Sequence, residues 1–378
     1  MSVTVEPKLF QATLARAVGA VRPEKSSYPI LHCVKIGARG GAMRIVATDL
    51  DVEFSDELPA TGEIADLCVE AVRLKAIVDR LKGRSEILIR TAGAGEAIEI
   101  ESGRSRFTLP TMSPESWPTL TAPRLDWEFA IEGKVLARLF TALRPAVSTE
   151  QTRYYLCGVC LSAGSVLKPD AKDSLVAVAT NGHKAYARSV AIEDMPALPP
   201  IIVPSFTCDV LAKLIDSTDE VTVRAGETRI EVERGGMRLV SKLIEGTFPD
   251  WRRVFPKVEP QVSYDAKSLI TAVETASAAT NTGKNGKGLK LTFGESETEL
   301  TARDVNNAGV SGQDSVEHSK LGGKLIDEIG INADYLSEMV EVLDVETVEI
   351  GMVDAGAPVR LSGAGHSDRI IVIMPMRV

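Results

Sequence analysis

Apolar residues recur every three or four positions in six separate stretches of the chain, and between those stretches they alternate with polar ones. The pattern predicts six amphipathic helices set among β-strands. The helical stretches are of two kinds. The first comprises EPKLFQATLARAVGAV at 6–21, EGKVLARLFTALRPAV at 132–147 and DAKSLITAVETASAAT at 265–280, a spacing of roughly 130 residues that is far longer than a solenoid period. Leu9, Phe10, Thr13, Leu14, Ala17, Val18 and Val21 share one face of the first copy. Val135, Leu136, Leu139, Phe140, Leu143 and Val147 repeat that stripe in the second, and Leu269, Ile270 and Val273 keep it more weakly in the third. The other kind comprises VRLKAIVDRLKG at 72–83, FTCDVLAKLID at 206–216 and ADYLSEMVEVLD at 333–344.

The segments between helices repeat as well. IVATDLDVEF, VAVATNGHKAYA and ELTARDVNNAGV each run as a strand into a small polar corner, where Asp or Asn supports a tight bend. Behind each second helix come two alternating strands: EILIR with AIEIES, EVTVR with RIEVER, and TVEIGM with PVRLSG. The reading is an α+β chain of three repeated domains, each built from two helix-plus-sheet halves. Pro-bearing stretches near Pro118–Leu125 and Pro256–Pro260 read as linkers. They place the domains at 1–122, 123–257 and 258–378.

Composition adds that 44% of residues are hydrophobic and 25% charged, enough apolar material for several cores, which excludes a disordered chain. No run approaches the roughly 20 apolar residues of a membrane span, and MSVTVEPKLF lacks the pattern of a secretion signal, so a cytoplasmic location is expected. The five cysteines are Cys33, Cys68, Cys157, Cys160 and Cys208, an odd and scattered set that reads as reduced thiols. Cys157 and Cys160 form a C-x-x-C, but in a segment read as a strand, where residues three apart face opposite ways. His32, His183, His318 and His366 show no metal-ligand spacing either. No metal, cofactor or catalytic residue is expected. An enzymatic reading would draw on Asp49, Asn181, His183 and Asp304 at the corners; these fit turn formation better, and His183 has no evident orienting acid or nucleophile.

A net charge of −9 argues against bulk attraction to nucleic acid. The basic residues are nonetheless concentrated on the predicted helices and their ends. Lys8, Arg16, Arg22 and Lys25 belong to the first, and Arg73, Lys75, Arg80, Lys82 and Arg84 to the second. Arg138, Arg144, Arg153 with its neighbour Tyr154, and Lys213 continue the set. From Arg22 onward these residues are expected to face DNA, making weak phosphate contacts without reading bases. The sixth helix, with Asp334, Glu338, Glu341 and Asp344, is acidic.

Five motifs occur in register with the repeats: SSYPIL at 26–31, TRYYLCGV at 152–159, ATNGHKA at 179–185, SKLIEGTFPDWRRVFP at 241–256 and MPMRV at 374–378. With them the chain resembles the bacterial DNA sliding clamps, the beta subunits of the DNA polymerase III holoenzyme, over essentially its whole length. The resemblance implies the DNA-clamp fold, with helices lining a ring and sheets outside. It further implies a homodimer that encircles double-stranded DNA, is opened by an ATP-driven clamp loader, hydrolyses nothing itself, and acts as a polymerase processivity factor. Polymerases and repair proteins would dock short motifs carrying a Gln and a Leu–Phe pair in a cleft between the second and third domains. The matching positions are Leu156; Thr180, Gly182, His183, Lys184 and Ala185; Pro249, Arg253 and Val254; and Val372, Met374, Pro375, Met376 and Arg377.

Several positions depart from the family pattern. The usual ATDGHRLA is ATNGHKAYA here, with Asn181 for an acid, Lys184 for arginine and Ala185 for leucine, which implies a roomier pocket. VPSF at 203–206 lacks the basic pair that often follows VP. At the implied dimer edges, 104–109 and near 277–282, Arg104, Phe107 and Leu109 match, whereas Ala278, Ala279 and Thr280 stand where bulkier aliphatics are common, which implies a looser dimer. A scaffold that binds peptides without encircling DNA is the remaining alternative.

Overall fold

The computed structural model describes residues 1–378 apart from 23, 25, 119–123, 167–172, 281–287, 305, 306 and 308, and apart from the side chain at 94. Lys25, part of the first linker and the far end of the expected 277–282 edge therefore lie outside the described residues.

The six helices form where the apolar periodicity places them: α1 Pro7–Gly19, α2 Ala71–Leu81, α3 Gly133–Leu143, α4 Ser205–Leu214, α5 Ala266–Ser277 and α6 Ala333–Leu343. Local chemistry fixes their ends. Pro7 opens α1, where the missing N–H costs nothing. Asp265 caps α5 by accepting from the Ser268 N–H at 2.8 Å, and Asn332 caps α6 by accepting from the Tyr335 N–H at 3.1 Å. Phe10, Leu14 and Ala17 of α1 are fully buried, and each large side chain so placed contributes roughly 1.5–3 kcal/mol. Leu9 is a correction to the expected stripe, being 42% exposed. It lies one residue, and so about 100° of helix rotation, from Phe10, outside the buried face.

The chain folds as two compact units, Met1–Ala137 with Val210–Leu243, and Arg138–Asp209 with Ile244–Val378. In the first, eleven strands form one sheet. Its long strand Val52–Glu70 pairs antiparallel with Met237–Lys242, so residues from the first and second sequence repeats share one hydrogen-bonded surface. The second unit holds a nine-stranded and a four-stranded sheet. In the larger one Lys184–Ala191 pairs with His366–Ile373, joining the second and third repeats in the same way.

Two of the strand edges that stay open among the described residues bear on self-association. Ser105–Met112 pairs with Ala97–Ser102 on one side, and on the other only Thr111 and Met112 meet a strand. Ser311–Glu317 ends the four-stranded sheet. An edge was expected near 277–282 instead. Ser277 closes α5, and Ala278–Thr280 is a short 3-10 turn. The open strand escapes a periodicity search because Val316 is its one buried side chain. It lies close on α5: a β-carbon on Gly312 would stand 2.2 Å from the Ala276 carbonyl oxygen.

Candidate functional site

Pairing of Lys184–Ala191 with His366–Ile373 sets Ala185 opposite Val372 and Ala187 opposite Ile370. The floor beneath them is a buried cluster that includes Leu156, Cys160, Ala187, Phe248, Trp251 and Ile370. Phe248 and Trp251 were not among the expected cleft residues; an aromatic pair inside a Pro-bearing loop was the available signal. Trp251 sits edge-on to Phe255 at 5.4 Å, with the Arg252 guanidinium 4.3 Å over its ring. Around this floor stand exposed groups, Pro249, Arg253 and Val254 from one loop, Gly182 and His183 from the corner, and Met374 from the C-terminal tail; Arg377, farther along the tail, is exposed too. Thr180 and Pro375 are half-buried. Val254 and Met374 are 43% and 36% exposed, apolar surface of the kind a hydrophobic anchor covers. Arg253 pairs with Asp250 at 3.0 Å, its side chain largely in solvent.

Lys184 is placed otherwise, and the Met376 backbone is tied down. Neighbours on a strand point to opposite faces, so while Ala185 faces the floor, Lys184 projects from the other face toward α6. Its ammonium is bonded to Glu338 and lies 4.6 Å from the Tyr335 ring centre, and Lys184 is only 4% exposed. Met376 does not project as a free end: its N–H donates to the Gly330 carbonyl at 2.9 Å.

The corner that carries Gly182 is an Asx turn. Asn181 Oδ1 accepts from the His183 and Lys184 N–H groups at 2.9 and 3.0 Å, and the Thr180 hydroxyl donates to the Lys184 carbonyl at 2.8 Å. The first repeat is built alike, with Asp49 Oδ1 accepting from Asp51 and Val52 and Thr48 donating to Val52. Asn181 therefore keeps the geometry of an acid at this corner and drops its charge. Asp304 likewise accepts from the Asn307 N–H at 3.0 Å. These side chains serve the bends that sequence assigned to them. In the C-x-x-C, Cys157 precedes the strand Gly158–Ala163 rather than lying in it, and burial pushes the Cys160 thiol up to about 12, far from a thiolate. No group of His, Cys, Asp or Glu able to hold a metal occurs among the described residues.

Models of the DNA polymerase III beta subunit match residues 1–121 as its N-terminal domain, 130–250 as its central domain and 252–377 as its C-terminal domain. The chain belongs to the DNA polymerase III beta subunit family. It is 29% identical to the beta sliding clamp of Caulobacter vibrioides over 385 residues, which covers 100% of both chains. Among solved structures, the DNA polymerase III subunit beta from Pseudomonas aeruginosa matches at a TM-score of 0.90 and 27% identity, with 100% of both chains covered. A sliding clamp from Bartonella birtlesii bound to griselimycin matches at 0.90 and 28%, again over 100% of both. The fold is thus the α+β clamp fold with three repeated domains, in a family of processivity factors rather than enzymes.

In this beta subunit the expected DNA-facing residues differ in how free their charge is. Arg73 pairs with Glu70 at 2.7 Å, Lys75 with Asp79 at 2.6 Å, and Arg144 with Asp209 at 2.8 Å. Arg80, Lys82, Arg84, Arg138 and Lys213 are exposed, with no ion-pair partner among the described residues. Arg22 is half-buried, and its N–H donates to Asp49 at 2.9 Å. Arg153 lies on the turn Gln151–Leu156, pairs with Glu150 at 2.8 Å, and sets its Nη1 2.6 Å from where a Gly182 β-carbon would be. Its guanidinium thus stands beside the corner that carries Gly182. Tyr154, on the same turn, is 53% exposed.

At the expected dimer edges, Arg104 is exposed, Phe107 half-buried and Leu109 buried within its own unit. Ala278 and Ala279 are exposed, whereas Thr280 is buried and its hydroxyl donates to the Ser277 carbonyl at 3.0 Å. Thr280 is thus occupied at home. No helix among the described residues is long and apolar enough to cross a membrane.

Proposed function

We propose that this chain is the processivity clamp of a replicative DNA polymerase in the cytoplasm. Two copies close head to tail into a ring around duplex DNA, with helices inward, and partner peptides dock on the Leu156–Trp251–Val372 cleft. The single observation that carries the reading is the cleft itself: an apolar floor shared by two sequence repeats, with exposed Val254 and Met374 at its rim, in a chain that matches beta subunits end to end. Charge supports the closure. The open edge at Ser105–Pro110 carries Arg106 with Arg104 beside it, and the open edge Ser311–Glu317 carries Asp314 and Glu317, so unlike edges attract. The matched ranges of the three family models support a domain division at 1–122, 123–257 and 258–378.

The test is topological. The protein is loaded by a clamp loader onto nicked circular DNA and washed in salt that abolishes direct binding to linear duplex. Retention on the circle followed by release when the circle is cut is the expected result. Retention on cut DNA with free ends, or loss in the wash, contradicts it; peptide binding without any loader-dependent retention assigns the chain to peptide scaffolds instead.

A further inference from the structure

We propose that Gly288 and Gly330 form a notch that seats the C-terminal tail, and that this seating, rather than the tail's own sequence alone, positions the Met374–Pro375 wall of the peptide cleft. The inference rests on the cleft reading above. Its starting point is that these glycines are otherwise unexplained. Both lie in strands, Gly288 opening Gly288–Phe293 and Gly330 midway along Glu328–Asn332, where glycine weakens the strand and offers no side chain to pack. Neither has the left-handed backbone that demands glycine.

Space explains them. A β-carbon on Gly330 would stand 2.2 Å from the Met376 carbonyl oxygen and 2.7 Å from Val378 Cγ2, and one on Gly288 would stand 2.9 Å from Val378 Cγ1. The tail backbone lies flat on the sheet at that point, held by the Met376 N–H donating to the Gly330 carbonyl at 2.9 Å. Two residues earlier the Met374 N–H donates to the His183 carbonyl at 2.8 Å. The tail is thus pinned on both sides of Pro375, whose ring fixes the backbone between the pins. Met374 is held beside the Asn181–Lys184 turn by one pin and kept from swinging away by the other. A methyl group at 330 meets backbone, which cannot give way as a flexible side chain does, so the tail has to lift and carry the wall with it. Gly288 meets the side chain of Val378, with the Met376 Cε farther off at 3.7 Å, and a methyl there, facing side chains rather than backbone, has the milder effect.

The experiment is calorimetry of a synthetic peptide carrying a Gln and a Leu–Phe pair against the full-length dimer, Gly330→Ala, a chain ending at Pro375, and the two changes combined. Wild-type binding with a loss of about tenfold or more in both single variants is expected. In the shortened chain Gly330→Ala is expected to change affinity by less than about twofold, because nothing remains in the notch to be displaced. Gly330→Ala binding as the wild type does, a shortened chain of undiminished affinity, or an equal further loss in the combined variant each overturns the notch. If the wild type itself does not bind the peptide, the cleft reading falls first. Should Gly330→Ala fail to fold, the same cycle is read on Gly288→Ala, with an expected loss of about two- to fivefold that also vanishes in the shortened chain.

Discussion

Lys184 projects from the far face of the nine-stranded sheet to bond Glu338, and so ties the corner of the cleft to α6. The lysine is buried while the Glu338 side chain is 45% exposed, so the two ends of the pair are not equivalent. Glu338→Gln leaves a buried ammonium without its counter-charge, and a loss of about 1–2 kcal/mol is expected after allowing for solvent around the carboxylate. Lys184→Met removes charge and desolvation cost together and is expected to cost less than about 1 kcal/mol. Calorimetric melting of both variants, read on the lowest transition because a chain of several domains need not unfold in one step, checks the order. A costlier Lys184→Met would show that the lysine's own contacts, not the unpaired charge, hold the corner.

His318 is a pH-sensitive pin at the end of the open strand Ser311–Glu317. Its Nδ1 and the Thr298 hydroxyl are 2.8 Å apart, that hydroxyl and the Tyr264 phenol 2.7 Å, and burial followed by the positive charge of Lys320 holds its pKa below the ordinary 6.5. Below pH 6.5 the unfolded chain takes up a proton that the folded one resists. The stabilisation is therefore complete above that value and declines as pH falls toward the lower folded value. His318→Gln is expected to melt below the wild type near neutral pH, with the gap narrowing toward pH of about 5. A gap that stays constant with pH assigns the residue a packing role only.

Free and paired cations on α2 separate in their expected effect on DNA. Arg80→Glu with Lys82→Glu reverses two exposed, unpaired charges and is expected to weaken binding to linear duplex and to lower the slope of log affinity against log salt by about one per lost contact. Arg73→Glu with Lys75→Glu is expected to do less, since Glu70 and Asp79 already neutralise those side chains. Fluorescence anisotropy across a salt series distinguishes the pairs. Equal effects would mean that the observed ion pairs open when DNA binds.

Ala278 and Ala279 are exposed small residues next to the acidic open edge, and Ala278→Ile with Ala279→Leu is expected to tighten self-association by about tenfold or more through added apolar burial. Sedimentation velocity over a concentration series measures it. An unchanged dissociation constant places the association on strand pairing alone, away from these two residues.

The six helices and the corner turns were legible in the sequence because both follow from local chemistry: a 3.6-residue period in one case, and Asn or Asp bonding to the backbone two residues on in the other. What was not legible depends on partners far along the chain. The inclusion of Lys184 in the cleft failed because only the register with His366–Ile373 and the position of α6 decide which face it takes. The approach of Arg153 to Gly182 was hidden likewise, since the two are distant in sequence. The seating of the Met376 backbone on Gly330 was not legible because a strand glycine carries no local mark of what lies upon it. The junctions between repeats were hidden for the same reason, since Val52–Glu70 contains nothing that names Met237–Lys242 as its neighbour.

The polar pattern of Ser311–Glu317 has a consequence for a chain whose edge is uncovered. An open strand offers a row of bare N–H and C=O groups, a ready template for indiscriminate stacking. Here that row is framed by Asp314 and Glu317, with no apolar strip along it. Two such strands brought side by side set carboxylate against carboxylate and push apart, whereas a strand flanked by arginines is drawn in. The residues that disguised this segment as a loop thus protect it from templating its own aggregation.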